Sequence, residues 1–110
     1  MGVNEGGVIS NNQHNKHSPD KTIFVDVDGT LFVNGVFNEN LGLWIRRKKI
    51  EGYSLTLWSA RGEGYAIGAA RLSGLFDVFD HIIGKPGYIV DDKGWSWCRY
   101  VQSIPLSTFK

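Results

Sequence analysis

The sequence predicts one Rossmann-like α/β domain, a three-layer sandwich built around a small parallel sheet of about four strands. Two patterns lead there. From Lys21 onward, short apolar runs at 23–27, 53–58, 78–83 and 88–90 alternate with segments of helical period, the arrangement of βαβ units. Each run is also followed closely by a polar residue: Asp26, Ser59, Asp91, and Lys85 in the loop after the third. In open α/β sheets ligands bind beyond the carboxyl ends of the strands, so these residues are expected to converge on one site. Length sets the scale, since 110 residues suffice for one domain with a modest core.

Residues 1–20 are rich in Gly, Asn, His and Ser and read as a flexible N-terminal tail, leaving 21–110 as the folded domain. His14 and His17 in that tail carry no further ligand-type partner and read as solvated. The first strand is 23–27. The segment 31–38 is too short for more than a β-like flap. A helix is expected over 39–50, with Asn38 or Asn40 as N-cap, Gly52 just past its end, and Phe37, Leu41, Trp44 and Ile45 as its buried stripe. After the second strand, a helix over 64–72 presents Ala66, Ala69 and Ala70 to the sheet and stops at Gly74. A last helix over 95–104 would bury Trp97, Cys98, Val101 and Ile104 before Pro105 ends it.

Composition narrows the function classes. The apolar and aromatic fractions, 42% and 13%, suit a globular chain. A net charge of +1 gives no overall electrostatic reason for a nucleic-acid or membrane partner. The basic cluster Arg46-Arg47-Lys48-Lys49 falls in the last turns of the first helix, where cations complement the helix dipole. Trp95 and Trp97 read as core or interface rather than as base-stacking platforms. Cys98 has no mate, which suits a reducing compartment. With no apolar stretch near the ~20 residues of a membrane span, and no basic-then-apolar leader, a cytoplasmic location is expected.

The chemistry centres on Ile23-Phe24-Val25-Asp26-Val27-Asp28-Gly29-Thr30-Leu31. Spaced i, i+2, Asp26 and Asp28 project from one face at a strand end. Carboxylates that close repel one another, and a hard cation such as Mg2+ is the expected compensator. Backbone N–H groups near Gly29 offer an anion nest. Arg61, two residues past Ser59, is placed to reach a substrate phosphate or a second anionic group. Taken singly, each of these residues has a plainer reading: the acidic pairs as turns, Ser59 as a helix cap, Lys85 and Arg61 as solvated loop cations.

Together and in order, these residues resemble the motifs of the haloacid dehalogenase-like superfamily of phosphohydrolases. The resemblance covers about 21–94: Asp26-Val27-Asp28-Gly29-Thr30-Leu31 for the first motif, Ser59 for the second, Lys85 for the third and Asp91-Asp92 for the fourth. It implies a hydrolase, a phosphatase acting on phosphoric monoesters, in which Asp26 attacks phosphorus to form an aspartyl-phosphate. Asp28 would serve as general acid and then general base. Mg2+ would be held by an Asp26 oxygen, the backbone carbonyl of Asp28 and Asp91, with Asp92 as a second ligand or outer-shell partner. Ser59 and Lys85 would hold the phosphoryl oxygens that are not transferred.

Relatives of this kind often carry a cap domain after the first motif or between the second and third. Here 31–38 and 59–85 are too short for one, so the resemblance implies a capless protein with an open site. An open site suits a large or macromolecular phosphorylated substrate, or a partner subunit that supplies a lid. An uncovered edge strand and a small core favour a homo-oligomer. Two alternatives stand beside this reading: a nucleotide or polynucleotide-end phosphatase, suggested by Arg61, the basic helix end and the open site, and a non-catalytic interaction module of the same fold. Asp28 favours turnover, because a module that only holds a phosphoryl group has little use for a general acid.

Overall fold

The computed structural model describes residues 21–110; the tail, with His14 and His17, lies outside the described residues. Five strands and two α-helices follow in order: β1 (Thr22–Asp26), β2 (Phe32–Val33), β3 (Val36–Phe37), α1 (Glu39–Ile50), β4 (Ser54–Ser59), α2 (Glu63–Ser73) and β5 (His81–Gly84). Short 3-10 turns at Gly94–Tyr100 and Leu106–Phe109 complete the chain. β1, β4 and β5 form a parallel sheet in the order β1-β4-β5, with Ile23 opposite Leu55 and Trp58 opposite Ile83. β2 and β3 make the expected flap, a separate antiparallel hairpin.

Local chemistry explains α1. The Asn38 side chain accepts from the Leu41 N–H at 3.2 Å, Glu39 sits in the first turn, and Arg47, Lys48 and Lys49 sit in the last. Much of the basic cluster is engaged within the fold. Arg46 donates to the Gly74 carbonyl at 2.9 Å, Lys48 pairs with Glu51 at 3.0 Å, and Lys49 pairs with Asp80 at 2.7 Å. α2 ends as its sequence indicates, on Gly74 in the left-handed conformation at φ 74°.

Right-handed crossovers that step the same way along a sheet place both helices on one face. The burial agrees: Val25, Leu55 and Leu57 join Leu41, Ile45, Ala66, Ala69 and Ala70 in the core, with Ile23 and Ile82 packed against it. On the opposite face Phe24 is half exposed, and its ring meets that of Trp58 edge-on at 4.7 Å. Among the described residues the domain therefore has two layers rather than the three expected.

Two further expectations are corrected here. Residues 88–90 do not form a fourth strand; Tyr88 and Val90 are fully exposed and the backbone is irregular. Without that strand no crossover leads to the second face among the described residues, which accounts for the layer not found there. The helix over 95–104 is a 3-10 turn with no buried residue, and Cys98, Val101 and Ile104 stay exposed. An apolar stripe yields a stable helix only where a surface receives it, and here none does. The third run shifts as well. Val78 and Phe79 are buried in the turn before β5, and Asp80 starts the pairing by exchanging hydrogen bonds with Leu55. Among the described residues no helix is long and apolar enough to cross a membrane.

Candidate active site

The carboxyl ends of β1 and β4 and the loop after β5 meet at one rim. Asp26 closes β1 opposite Trp58, on the face that the helices leave uncovered. Its Oδ1 lies 3.1 Å from Lys85 Nζ, and its Oδ2 accepts from Thr30 Oγ1 at 3.2 Å. Lys85 is steered there by its own backbone: its N–H donates to the Ser59 carbonyl at 2.9 Å, carrying the β4–β5 ladder one step past the strand. Its ammonium also stands 5.6 Å from the centre of the Trp58 ring.

The loop after β1 folds back tightly. Gly29 takes φ 78°, a conformation glycine adopts without strain, and its N–H donates to the Phe32 carbonyl at 2.8 Å. Thr30 and Leu31 donate to the carbonyls of Val27 and Asp26. These three donors are engaged within the loop and its junctions with β1 and β2, so they are not free to form the anion nest expected near Gly29. Val27 is buried, while the side chains of Asp26 and Asp28 on either side of it are 34% and 51% exposed.

Asp28 meets partners from the start of α2. Tyr65 donates from its hydroxyl to Asp28 Oδ1 at 2.6 Å, and Arg61 Nη1 lies 3.4 Å from Asp28 Oδ2. The Arg61 guanidinium also lies over the Tyr65 ring at 4.1 Å. The hydrogen bond to Asp28, aided by desolvation, raises the Tyr65 phenol above its usual range, while Arg61 opposes the shift. Tyr65 is a site residue that the sequence reading missed. Its signal was its spacing, one helical turn beyond Arg61. Ser59 is buried, and its Oγ accepts from the Arg61 N–H at 3.0 Å, so it braces the β4–α2 turn while its hydroxyl proton remains for another acceptor.

Among the described residues no hydrogen bond or ion pair joins Asp91 or Asp92 to Asp26, Asp28 or Lys85. Among the described residues no group of three or more His, Cys, Asp or Glu side chains gathers closely enough to hold a metal ion. Asp91 instead accepts from the Lys93 N–H at 2.8 Å in a local turn, the plainer reading of that pair. The oxygens of Asp26 and Asp28 remain hard donors of the kind Mg2+ takes through one or two carboxylates, with waters and substrate phosphate filling the other positions. A cleft of about 500 Å³ lies elsewhere, against α1, lined by Leu43, Trp44, Arg47 and Phe109 and by none of the rim residues. Compared with known proteins, the chain matches no family model, no curated protein and no solved structure.

Proposed function

We propose that this chain is a capless, Mg2+-dependent phosphomonoester hydrolase of the haloacid dehalogenase-like type, working through an aspartyl-phosphate on Asp26. The observation that carries the reading is the 3.1 Å approach of Lys85 to Asp26 at the strand ends, between residues far apart in the chain. A carboxylate nucleophile and a phosphate monoester repel each other, and a cation between them lowers that barrier as charge redistributes in the transition state.

In this mechanism an Asp26 oxygen forms the new bond to phosphorus while the bond to the ester oxygen breaks. Asp28, protonated at that moment, gives its proton to the departing oxygen. Water then attacks the phosphorus of the aspartyl-phosphate, Asp28 takes the proton, and inorganic phosphate leaves with the Asp26 carboxylate restored. Lys85 and the Ser59 hydroxyl hold the phosphoryl oxygens that are not transferred. Asp26 and the Asp28 carbonyl would hold Mg2+, which would supply Lewis-acid neutralisation of the phosphoryl charge when bound. Arg61 reaches Asp28 through Nη1 alone, at 3.4 Å, so its other N–H groups can meet a phosphate or a second anionic group of the substrate.

A second reading, a nucleotide or polynucleotide-end phosphatase, is favoured by the partly exposed Tyr65 ring stacked on Arg61 beside Asp28, an aromatic and cationic flank where a leaving nucleoside would lie. The test is phosphate release from an aryl phosphate, sugar phosphates, nucleotides and phosphate-ended oligonucleotides. Release should require Mg2+, stop on chelation and vanish in Asp26→Asn. Activity equal in wild type and Asp26→Asn would overturn the proposal.

A further inference from the structure

Asp28 is asked to deliver a proton to one defined oxygen, yet its side chain is 51% exposed on a loop beyond the strand end. Asp26, by contrast, is held on one oxygen by Lys85 and on the other by Thr30. A half-exposed aspartate with no fixed partner would sample several staggered rotamers. Misplacing a catalytic group by about 1 Å costs on the order of 10²-fold in rate. Something must therefore hold Asp28, and the structure offers a linked set of contacts.

We infer that Tyr65 is the positioning residue for Asp28, fixing its carboxyl from α2 with Arg61 as the brace of the phenol ring. This rests on the hydrolase reading above. The 2.6 Å separation lies in the range of short hydrogen bonds from a hydroxyl to a carboxylate. The donor stands in the first turns of α2, a regular element, so it offers a firmer reference than the loop bearing Asp28. The ring is fixed in turn by the Arg61 guanidinium at 4.1 Å, and the Arg61 backbone is fixed by Ser59 Oγ at 3.0 Å. A continuous path runs from the end of β4 through Ser59, Arg61 and Tyr65 to Asp28. Each carboxylate oxygen has two lone pairs, so the Tyr65 bond on Oδ1 leaves capacity for the departing oxygen and for water. Tyr65 itself does not touch the reacting atoms; it acts through Asp28.

Tyr65→Phe removes the hydroxyl and keeps the ring under Arg61, so the fold is retained. Two readouts separate positioning from a merely structural role. The first is leaving-group dependence. Protonation matters for an alkyl phosphate and hardly at all for dinitrophenyl phosphate, whose phenolate departs unaided. For the alkyl ester, kcat/KM should fall about tenfold through kcat, with KM unchanged, a part of the 10²–10⁴ that general acid catalysis contributes. For the dinitrophenyl ester kcat/KM should stay within about twofold. Equal losses on both esters, or none on either, would overturn the inference. The second readout needs no activity: NMR side-chain couplings of Asp28 should report one rotamer in the wild type and averaging in Tyr65→Phe, and unchanged couplings would overturn the inference. Should the wild type release no phosphate from any ester, the hydrolase reading fails by that result, while the couplings still decide whether Tyr65 holds Asp28.

Discussion

Replacing Lys85 by Met keeps the length of the side chain and removes its charge, so stability and activity should part company. At 3.1 Å the bare attraction between Lys85 and Asp26 is about 5 kcal/mol at an effective dielectric of ~20, and little more than 1 kcal/mol in water. Both side chains are about one-third exposed, at 35% and 34%, so solvent screening and the ordering of the lysine stem offset most of this. The net contribution to folding is about 0.2–1 kcal/mol, typical of exposed pairs. In a domain of this size that shifts Tm by no more than about 4–8 °C. The effect on turnover is of another order. A donor aimed at charge that develops in the transition state is worth about 10²–10³ in kcat, or about 2.7–4 kcal/mol. Thermal melts and phosphate-release kinetics on the same Lys85→Met preparation should therefore show a near-native transition and a 10²–10³-fold loss. A loss below about tenfold with the fold intact would refute the role given to Lys85. A collapse of the melt would reveal the ion pair as structural.

Further outcomes follow from groups at both ends of the sheet. Asp80 accepts from the Leu55 N–H at 2.8 Å while pairing with Lys49, so Asp80→Ala should cost about 1.5–3 kcal/mol in a denaturant titration by leaving that backbone donor without its charged acceptor. Tyr65 should ionise above 10.0, as the difference in phenolate absorbance between wild type and Tyr65→Phe would report; in Asp28→Ala, which removes the largest cause of the shift and leaves desolvation opposed by Arg61, it should fall back toward that value. Because the folded-state value is raised, the stabilisation linked to this bond is fully present below the ordinary phenol range and is lost as pH rises through the raised value.

Legibility in the sequence followed the range of the interactions. α1 spans Glu39–Ile50 as read, because its signals are local: the Asn38 cap, Glu39 at the start, cations at the end and a stripe ending on Ile45. The Ala66, Ala69 and Ala70 face of α2 and its stop at Gly74 were legible for the same reason. Strand order with crossover rules indicated that Lys85 would reach the end of β1, where it pairs with Asp26. What escaped depends on partners distant in the chain. Three apolar residues at 88–90 resemble a strand by composition, yet a parallel strand exists only if a neighbour's ladder receives it. Exposed Tyr88 and Val90 show that none does, and Trp97 and Val101 lose their packing surface with it. The use of the Gly29 N–H by Phe32 was equally hidden, since it arises when the hairpin folds back on β1. Tyr65 went unnoticed because nothing in α2 alone indicates that Asp28 lies within reach of its hydroxyl.

The account stands most directly on the fate of the phosphoryl group. The protein with Mg2+ and an activated phosphate ester should be acid-quenched within the first turnover, and the peptide containing Asp26 and Asp28 sequenced by mass spectrometry. One phosphoryl group on Asp26, lost on treatment with hydroxylamine and never formed in Asp26→Asn, is the result the mechanism predicts. Phosphate released without any phosphorylated Asp26, or with the label on another residue, would contradict it.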